Sequence, residues 1–173
     1  AMPASGPMTL SVKGNNQLTV KDVLIGDVWL ASGQSNMELT LARAEPRYPE
    51  VLAKANNRYI RQFEVPDRYH FKGPKDDLDG GAWQPATTEH IRQFSAVGYF
   101  FAQKLYQEQN VAIGIINAAL GGSPVEAWMS AELLKPLGEP YAQMQKFMDD
   151  DYIKEVEASD QERSNKWYLS LIH

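Results

Sequence analysis

Cysteine is absent from the 173 residues, which excludes a thiol nucleophile, a disulfide framework and any thiolate-based zinc site. Histidine is scarce, with only His70, His90 and His173 to offer an imidazole base. Cationic excess is also missing. Seventeen Lys and Arg face 22 Asp and Glu, for a net charge of -5. Nothing in that balance suits nucleic acid, and the scattered charges read as ordinary solubility. No apolar run approaches the ~18–20 residues that a membrane span needs. The stretch from Ala1 to Gly14 has neither a basic start nor an apolar middle, so it is not a signal peptide. No P-loop or G-x-G-x-x-G pattern follows a strand, which argues against a phosphate or nucleotide cradle. No cofactor and no metal are expected. What is present is 43% hydrophobic residues in a chain long enough for an ordinary core.

The apolar residues fall into recognisable elements. Met8–Val12 and Gln17–Val20, around Gly14-Asn15-Asn16, read as a short hairpin. Val23–Ala31 is apolar almost throughout, as in a strand buried on both faces of a parallel sheet. Ser32–Asn36 breaks that run, and Met37–Ala44 has helical composition. Tyr59–Pro66 and Val111–Asn117 are two further strands. The Gly-, Pro- and Asp-rich stretch from Asp67 to Thr88 predicts a long ordered loop with Trp83 as its anchor. Ser95 caps a helix running from Ala96 to about Gln109, with Val97, Phe100, Phe101 and Leu105 on its 3.6-residue stripe. A short helix over Ser130–Leu134 and a longer charged helical segment over Glu139–Trp167 complete the order. Strands alternating with helices predict an α/β fold built on a parallel sheet flanked by helices in three layers.

In such sheets, sites gather beyond the carboxyl ends of the strands. Two strand ends here carry small and polar residues. After the first comes Gly33-Gln34-Ser35-Asn36-Met37. A serine on a sharp strand-to-helix turn exposes its hydroxyl and turns its own N–H toward the site. Such an N–H helps hold the oxyanion of acyl transfer. The same serine also fits a plain helix N-cap, and position alone favours the cap. After the third strand comes Gly121-Gly122-Ser123. Paired glycines permit close backbone approach, although a tight strand-to-helix turn explains them equally well. Met37 stands where the second glycine of a G-x-S-x-G elbow would be, so the motif is not that of the α/β-hydrolases.

The run Gly26-Asp27-Val28-Trp29-Leu30-Ala31-Ser32-Gly33-Gln34-Ser35-Asn36-Met37-Glu38 closely resembles the SGNH-hydrolase superfamily. Within it, the similarity is to the sialate O-acetylesterase and acetylxylan-esterase group. Arg61-Gln62-Phe63, Ser95–Ala102 and Ile116-Asn117 through Gly121-Gly122-Ser123 to Trp128 support it, over roughly Val23 to Leu134. The resemblance implies a flavodoxin-like sheet, an incomplete one here, and a secreted or periplasmic enzyme that removes acetyl groups from carbohydrates. It implies Ser35 as the nucleophile. The N–H groups of Ser35 and of Gly121 or Gly122 would be oxyanion donors, with Gln34, Asn36, Arg61 and Gln62 as candidate substrate contacts. A sheet-edge role for Arg61 and Gln62, and a bracing role for Asn36, compete with that assignment.

The same resemblance implies a third oxyanion donor in a Trp-Tyr-Gln-Gly-Glu block, and a base His three positions after an Asp. Neither block occurs in this chain. None of His70, His90 and His173 has an Asp at that spacing, and each reads as a solvated or structural histidine. The expectation is therefore a chain divided into a hairpin end (1–20), the first half of an esterase domain (21–138) and a helical segment (139–173). The remainder of the catalytic domain, with its Asp and His, would be the missing partner, leaving this chain inactive alone. The competing function is a non-catalytic carbohydrate-binding module using Tyr69, Phe71 and Trp83 as a sugar platform.

Overall fold

The computed structural model describes residues 3–171, which form two compact units. The first comprises residues up to 67 and 77–123, and the second residues 68–76 and those from 124 onward. The first unit is a five-stranded sheet with helices. Strand β1 (Ser5–Lys13) turns at Gly14-Asn15-Asn16 into β2 (Gln17–Gly33), giving the expected hairpin. The second hairpin strand and the apolar strand after it are one continuous β2. Asp22 kinks it at a φ of 58°, a left-handed conformation that Asp tolerates better than most residues.

After β2 come three short helices, α1 (Ser35–Glu38), α2 (Leu41–Ala44) and α3 (Pro49–Lys54). The single helix expected over Met37–Ala44 is broken at Leu39-Thr40, because Thr40 leaves the helix to pair with Ser95. Helix α3 was not apparent as an element; Pro49 in its first turn supplies a preset helical φ at a position that needs no N–H donor. Strand β3 (Asn56–Glu64) follows, then β4 (Trp83–Thr87), helix α4 (Ala96–Gln109) and strand β5 (Ala112–Ala119).

The sheet order is β1-β2-β5-β3-β4. Strands β2, β5 and β3 are parallel, while the outer strands β1 and β4 join antiparallel, so the sheet is mixed around a parallel centre. Strand β4 lies inside the stretch expected to be loop. Pro85 disguises it, and an edge strand tolerates the missing N–H. Trp83 packs edge-on against Phe63 with ring centroids 5.7 Å apart, which makes it the anchor expected for this segment.

One face of the sheet is well covered. Ile60, Ile113 and Ile115 are buried there with Ala96, Tyr99 and Ala102 of α4, and with Leu41 and Phe94. Ser95 caps α4 by accepting the Gly98 N–H at 3.1 Å, and Asn110 ends it in the left-handed region. The helix seats only half of its large-residue stripe: Phe100 and Leu105 pack against the core, while Val97 and Phe101 stay exposed. It uses Ala96, Gly98, Tyr99 and Ala102, because small residues let α4 approach β5 closely; a Cβ on Gly98 would lie 3.4 Å from Ile115 Cγ2. The opposite face of the sheet is open. Leu30 is 70% exposed and Val28 59%, unusual for strand residues of a parallel sheet.

The second unit contains α5 (Ala131–Leu134), α6 (Glu139–Lys146) and α7 (Asp150–Ser170), with Ser130 capping α5 and Asp149 capping α7. Its 68–76 segment is tied to α7 by Lys72, whose Nζ lies 2.6 Å from Asp150 Oδ1. A stack of Tyr69, Phe71 and Phe147, closed by Tyr152, packs the rest of that junction. Among the described residues, no helix is long and apolar enough to cross a membrane.

Candidate active site

Register brings the two motifs together. Gly33 at the end of β2 pairs with Ala119 at the end of the parallel β5. Ser35 and Gly121 each lie two residues past that pair, so the two turns leave the sheet side by side. A Cβ added to Gly121 would stand 3.5 Å from both Cα and Cβ of Ser35. That is van der Waals contact, so the two turns touch.

Ser35 is the first residue of α1, and the N-cap position belongs to Gln34, which makes no side-chain capping bond. The Ser35 side chain is exposed and makes no hydrogen bond among the described residues. Its N–H belongs to the first turn, where a helix offers no internal acceptor. Met37, Glu38 and Leu39 close the helix through the carbonyls of Gln34 and Ser35.

The glycine turn is pinned to the serine turn at several points. Leu120 N–H donates to Gly33 O at 3.0 Å. The Gln34 side-chain amide donates to Ser123 O, and the Gly121 N–H donates to Glu38 Oε2 at 2.6 Å. Ser123 closes the turn on itself, its hydroxyl bonding Leu120 O. Gly122 has a φ of 79°, which favours glycine, and its N–H makes no hydrogen bond among the described residues. Of the two glycines, then, one N–H is engaged and the other is open.

Other candidates are distributed unevenly. Asn36 is exposed beside Ser35 and makes no side-chain hydrogen bond among the described residues, whereas the Gln34 amide is committed to Ser123. Arg61 is not brought to this site. It pairs in register with Gly114, three residues before Asn117, and points to the other sheet face. There its guanidinium binds Asp22, at 2.9 Å to the carboxylate and 2.8 Å to the backbone oxygen. It lines a cavity of about 430 Å³ with Asp22, Val28 and Trp83. Gln62 is on the correct face but is 3% exposed, with both ends of its amide committed. The Gln62 amide is thus bonded at both ends within the protein, and the Arg61 guanidinium is held by Asp22.

Gln62 belongs to a polar chain that motif reading did not reveal, buried at Gln62, Ser95 and Asn117 and reaching solvent at Glu64. The Asn117 amide donates to both Glu64 carboxylate oxygens, at 3.1 and 2.9 Å. Gln62 Nε2 donates to the same carboxylate at 2.8 Å, and its Oε1 accepts the Ser95 N–H at 3.0 Å. The Ser95 hydroxyl donates to Met37 O at 2.6 Å. The chain links β5, β3, the start of α4 and the helix that carries Ser35. Its one visible sequence signal is polarity out of place: Asn117 and Gln62 interrupt otherwise apolar strands. Asn117 Oδ1 is buried without a partner.

Partial burial pushes the Glu64 carboxyl above the ordinary carboxylate range; the bond from Asn117 opposes that shift, while the nearby charges of Asp67 and Glu38 add to it. A carboxyl raised on folding favours the folded state below its unfolded pKa, and that advantage is lost as pH rises through the folded value. Glu64→Gln should therefore flatten the stability profile just above pH 4.5, the ordinary value for this group. Melting curves of both proteins from acid to neutral pH check this, and parallel profiles would count against it.

His90 lies in the unit that carries Ser35, and His70 in the other unit. His90 Nε2 lies 3.7 Å from Glu89 Oε2, and it lines a cavity of about 390 Å³ with Glu38, Gln62 and Glu64. His70 Nδ1 is 2.6 Å from Gly73 O in the second unit. No hydrogen bond links either to Ser35 among the described residues. His173 lies outside the described residues. No cluster of His, Asp and Glu able to hold a metal ion occurs among the described residues.

Residues 25–158 match the family described as carbohydrate esterase, sialic acid-specific acetylesterase. This chain belongs to that family. It is 36% identical over 137 residues to the human sialate O-acetylesterase, covering 74% of this chain and 26% of the relative. With the rat sialate O-acetylesterase the identity is 35% over 133 residues, covering 73% of this chain and 24% of the relative. The chain thus spans about a quarter of the length of these curated relatives. A crystal structure of a carbohydrate acetylesterase from Xanthomonas citri superposes with a TM-score of 0.73 at 47% identity, covering 78% of this chain and 31% of that one. The α/β fold and the recognition from the Gly26–Glu38 run agree with these relatives.

Proposed function

We propose that this chain carries the nucleophilic half of a serine esterase that removes O-acetyl groups from carbohydrates. The observation that carries the reading is the pairing of Gly33 with Ala119, which sets the exposed Ser35 beside the Gly121-Gly122 turn. Ser35 Oγ attacks the acetyl carbonyl and gives up its proton to a base. The C–O bond to the sugar breaks, the sugar oxygen takes a proton, and the acetyl-serine is hydrolysed by water to acetate. Backbone N–H groups of the two turns stabilise the oxyanion in both steps.

The base is the missing element. Neither His70 nor His90 is bonded to Ser35, and a hydroxyl needs a base within hydrogen-bond reach. We assign it to an Asp–His pair in a further part of the catalytic domain. The open sheet face at Val28 and Leu30 supports such a part, since a parallel centre is normally covered on both sides. The family supports an acetylated glycan, such as an acetylated sialic acid, as the substrate class.

A fluorophosphonate probe tests the reading on the full-length protein. Adduct formation at Ser35, located by mass spectrometry, is expected. An unlabelled Ser35 in a folded, full-length protein would favour a non-catalytic carbohydrate-binding role. The 173-residue chain alone should hydrolyse p-nitrophenyl acetate poorly or not at all. Ordinary turnover by this chain, abolished by Ser35→Ala, would overturn the assignment of the base to another segment.

A further inference from the structure

The glycine turn offers two N–H groups, and they are not equivalent. The Gly121 N–H already donates to the Glu38 carboxylate at 2.6 Å, a short charge-assisted bond. An oxyanion seeking the same N–H would have to share one donor with a full negative charge. Coulomb repulsion between two oxygens that close works against that sharing. The Gly122 N–H has no partner among the described residues, and the positive φ of Gly122 turns its peptide away from the β5 direction.

Glu38 in its present position also fills the space that a side chain at residue 121 would take. A Cβ at that position would meet Glu38 Oε2 at 2.5 Å, inside any normal contact. Glu38 lies in the same short helix as Ser35. Its carboxylate therefore ties the glycine turn directly to the helix that carries the nucleophile. Gln34, from the residue just before Ser35, makes the parallel tie to Ser123 O.

We infer that Glu38 is a positioning residue for the oxyanion site, holding the Gly121 N–H so that the Gly122 N–H is the donor which this turn presents to the acyl oxygen. The inference rests on the reading of Ser35 as nucleophile, and it specifies which backbone group serves it. Glu38 touches no reacting atom. It acts through the turn.

Two measurements test it separately. In the ¹⁵N-glycine-labelled 173-residue chain, the Gly121 amide should exchange slowly and the Gly122 amide quickly. Glu38→Ala should release the Gly121 protection, and Glu38→Gln, whose side-chain oxygen still accepts, should keep much of it. This outcome does not depend on Ser35 reactivity. A Gly121 amide equally unprotected in wild type and Glu38→Ala would overturn the inference, whatever the chemistry of Ser35.

In the full-length protein, the rate of Ser35 labelling by the fluorophosphonate and the kcat for an acetyl ester should fall about 10–100-fold in Glu38→Ala, short of the ~10²–10³ typical for outright loss of a donor. KM should change little, and Glu38→Gln should recover most of the rate. Faster reaction in Glu38→Ala would mean that the carboxylate masks the donor, and would overturn the inference. Equal loss in Glu38→Gln and Glu38→Ala would overturn it as well. Gly121→Ala should be harmful alone and partly relieved when combined with Glu38→Ala, because the clash is with that carboxylate. Strict additivity would remove the link between them. If no variant reacts, wild type included, the nucleophile reading fails while the amide-exchange result stands.

Discussion

Ser35→Ala in the full-length protein should lower acetyl-ester turnover by at least about 10³-fold, because the remaining oxyanion donors and binding contacts supply only the residual catalysis seen when a nucleophile is deleted. The substitution should leave stability almost untouched. The Ser35 hydroxyl is exposed and bonds to no described residue, so its loss orphans no buried group. That pairing separates a reacting serine from a capping one. A cap lost at this position would cost about 1 kcal/mol of stability and nothing specific in turnover. The comparison needs kcat and the melting temperature of both proteins under one condition. A variant that keeps about a tenth of wild-type turnover, well above the residual level of nucleophile deletions, would remove Ser35 from the mechanism.

The second large effect is expected where buried Asn117 meets the exposed Glu64 carboxylate. Asn117→Asp would replace the amide that donates to both Glu64 oxygens with a second carboxylate, at a site 2% exposed. Two anions would then face each other at hydrogen-bond distance. The expected loss is about 1–3 kcal/mol at pH 7, below the full cost of a buried charge because water screens the exposed Glu64 carboxylate. Acid should recover much of it, because one proton shared between the two carboxyls restores a donor. The sign matches the raised Glu64 carboxyl: the variant's disadvantage is present at neutral pH and shrinks as pH falls through the carboxylate range. Adding Glu64→Gln should rescue it at neutral pH by returning an amide donor to the pair. Urea unfolding at pH 7 and near pH 4.5 measures both effects. A loss that is the same at both pH values would mean that the cost is one of shape rather than charge.

This polar chain has a functional consequence. Asn117, Glu64, Gln62 and Ser95 are bonded in series and end on Met37 O, two residues after Ser35. Polar groups in a core are costly unless satisfied, and these four satisfy one another almost completely. Their bonds run across strands β5 and β3 into helices α4 and α1. They fix the height and tilt of the serine turn over the sheet, which nonpolar packing would specify less sharply.

Sequence alone determined the local pieces. The hairpin, the Ser95 cap, helix α4, strand β5 and the strand–turn–helix around Ser35 are written in short-range signals: turn residues, capping chemistry, alternation and apolar runs. The Gly26–Glu38 run also determined the family, since so long a motif leaves few alternatives. The tertiary structure decided what depends on partners distant in the chain. Placing β5 between β2 and β3 set Gly121 against Ser35, and an edge position let Pro85 sit in a strand. Strand alternation sent Arg61 to the opposite face and buried Gln62, because neighbouring residues of a strand point to opposite sides. Which face is buried depends on what packs there. The same holds for Glu38: its spacing from Ser35 is visible in the sequence, but its bond to Gly121 spans 83 positions and exists only because two parallel strands end at the same level.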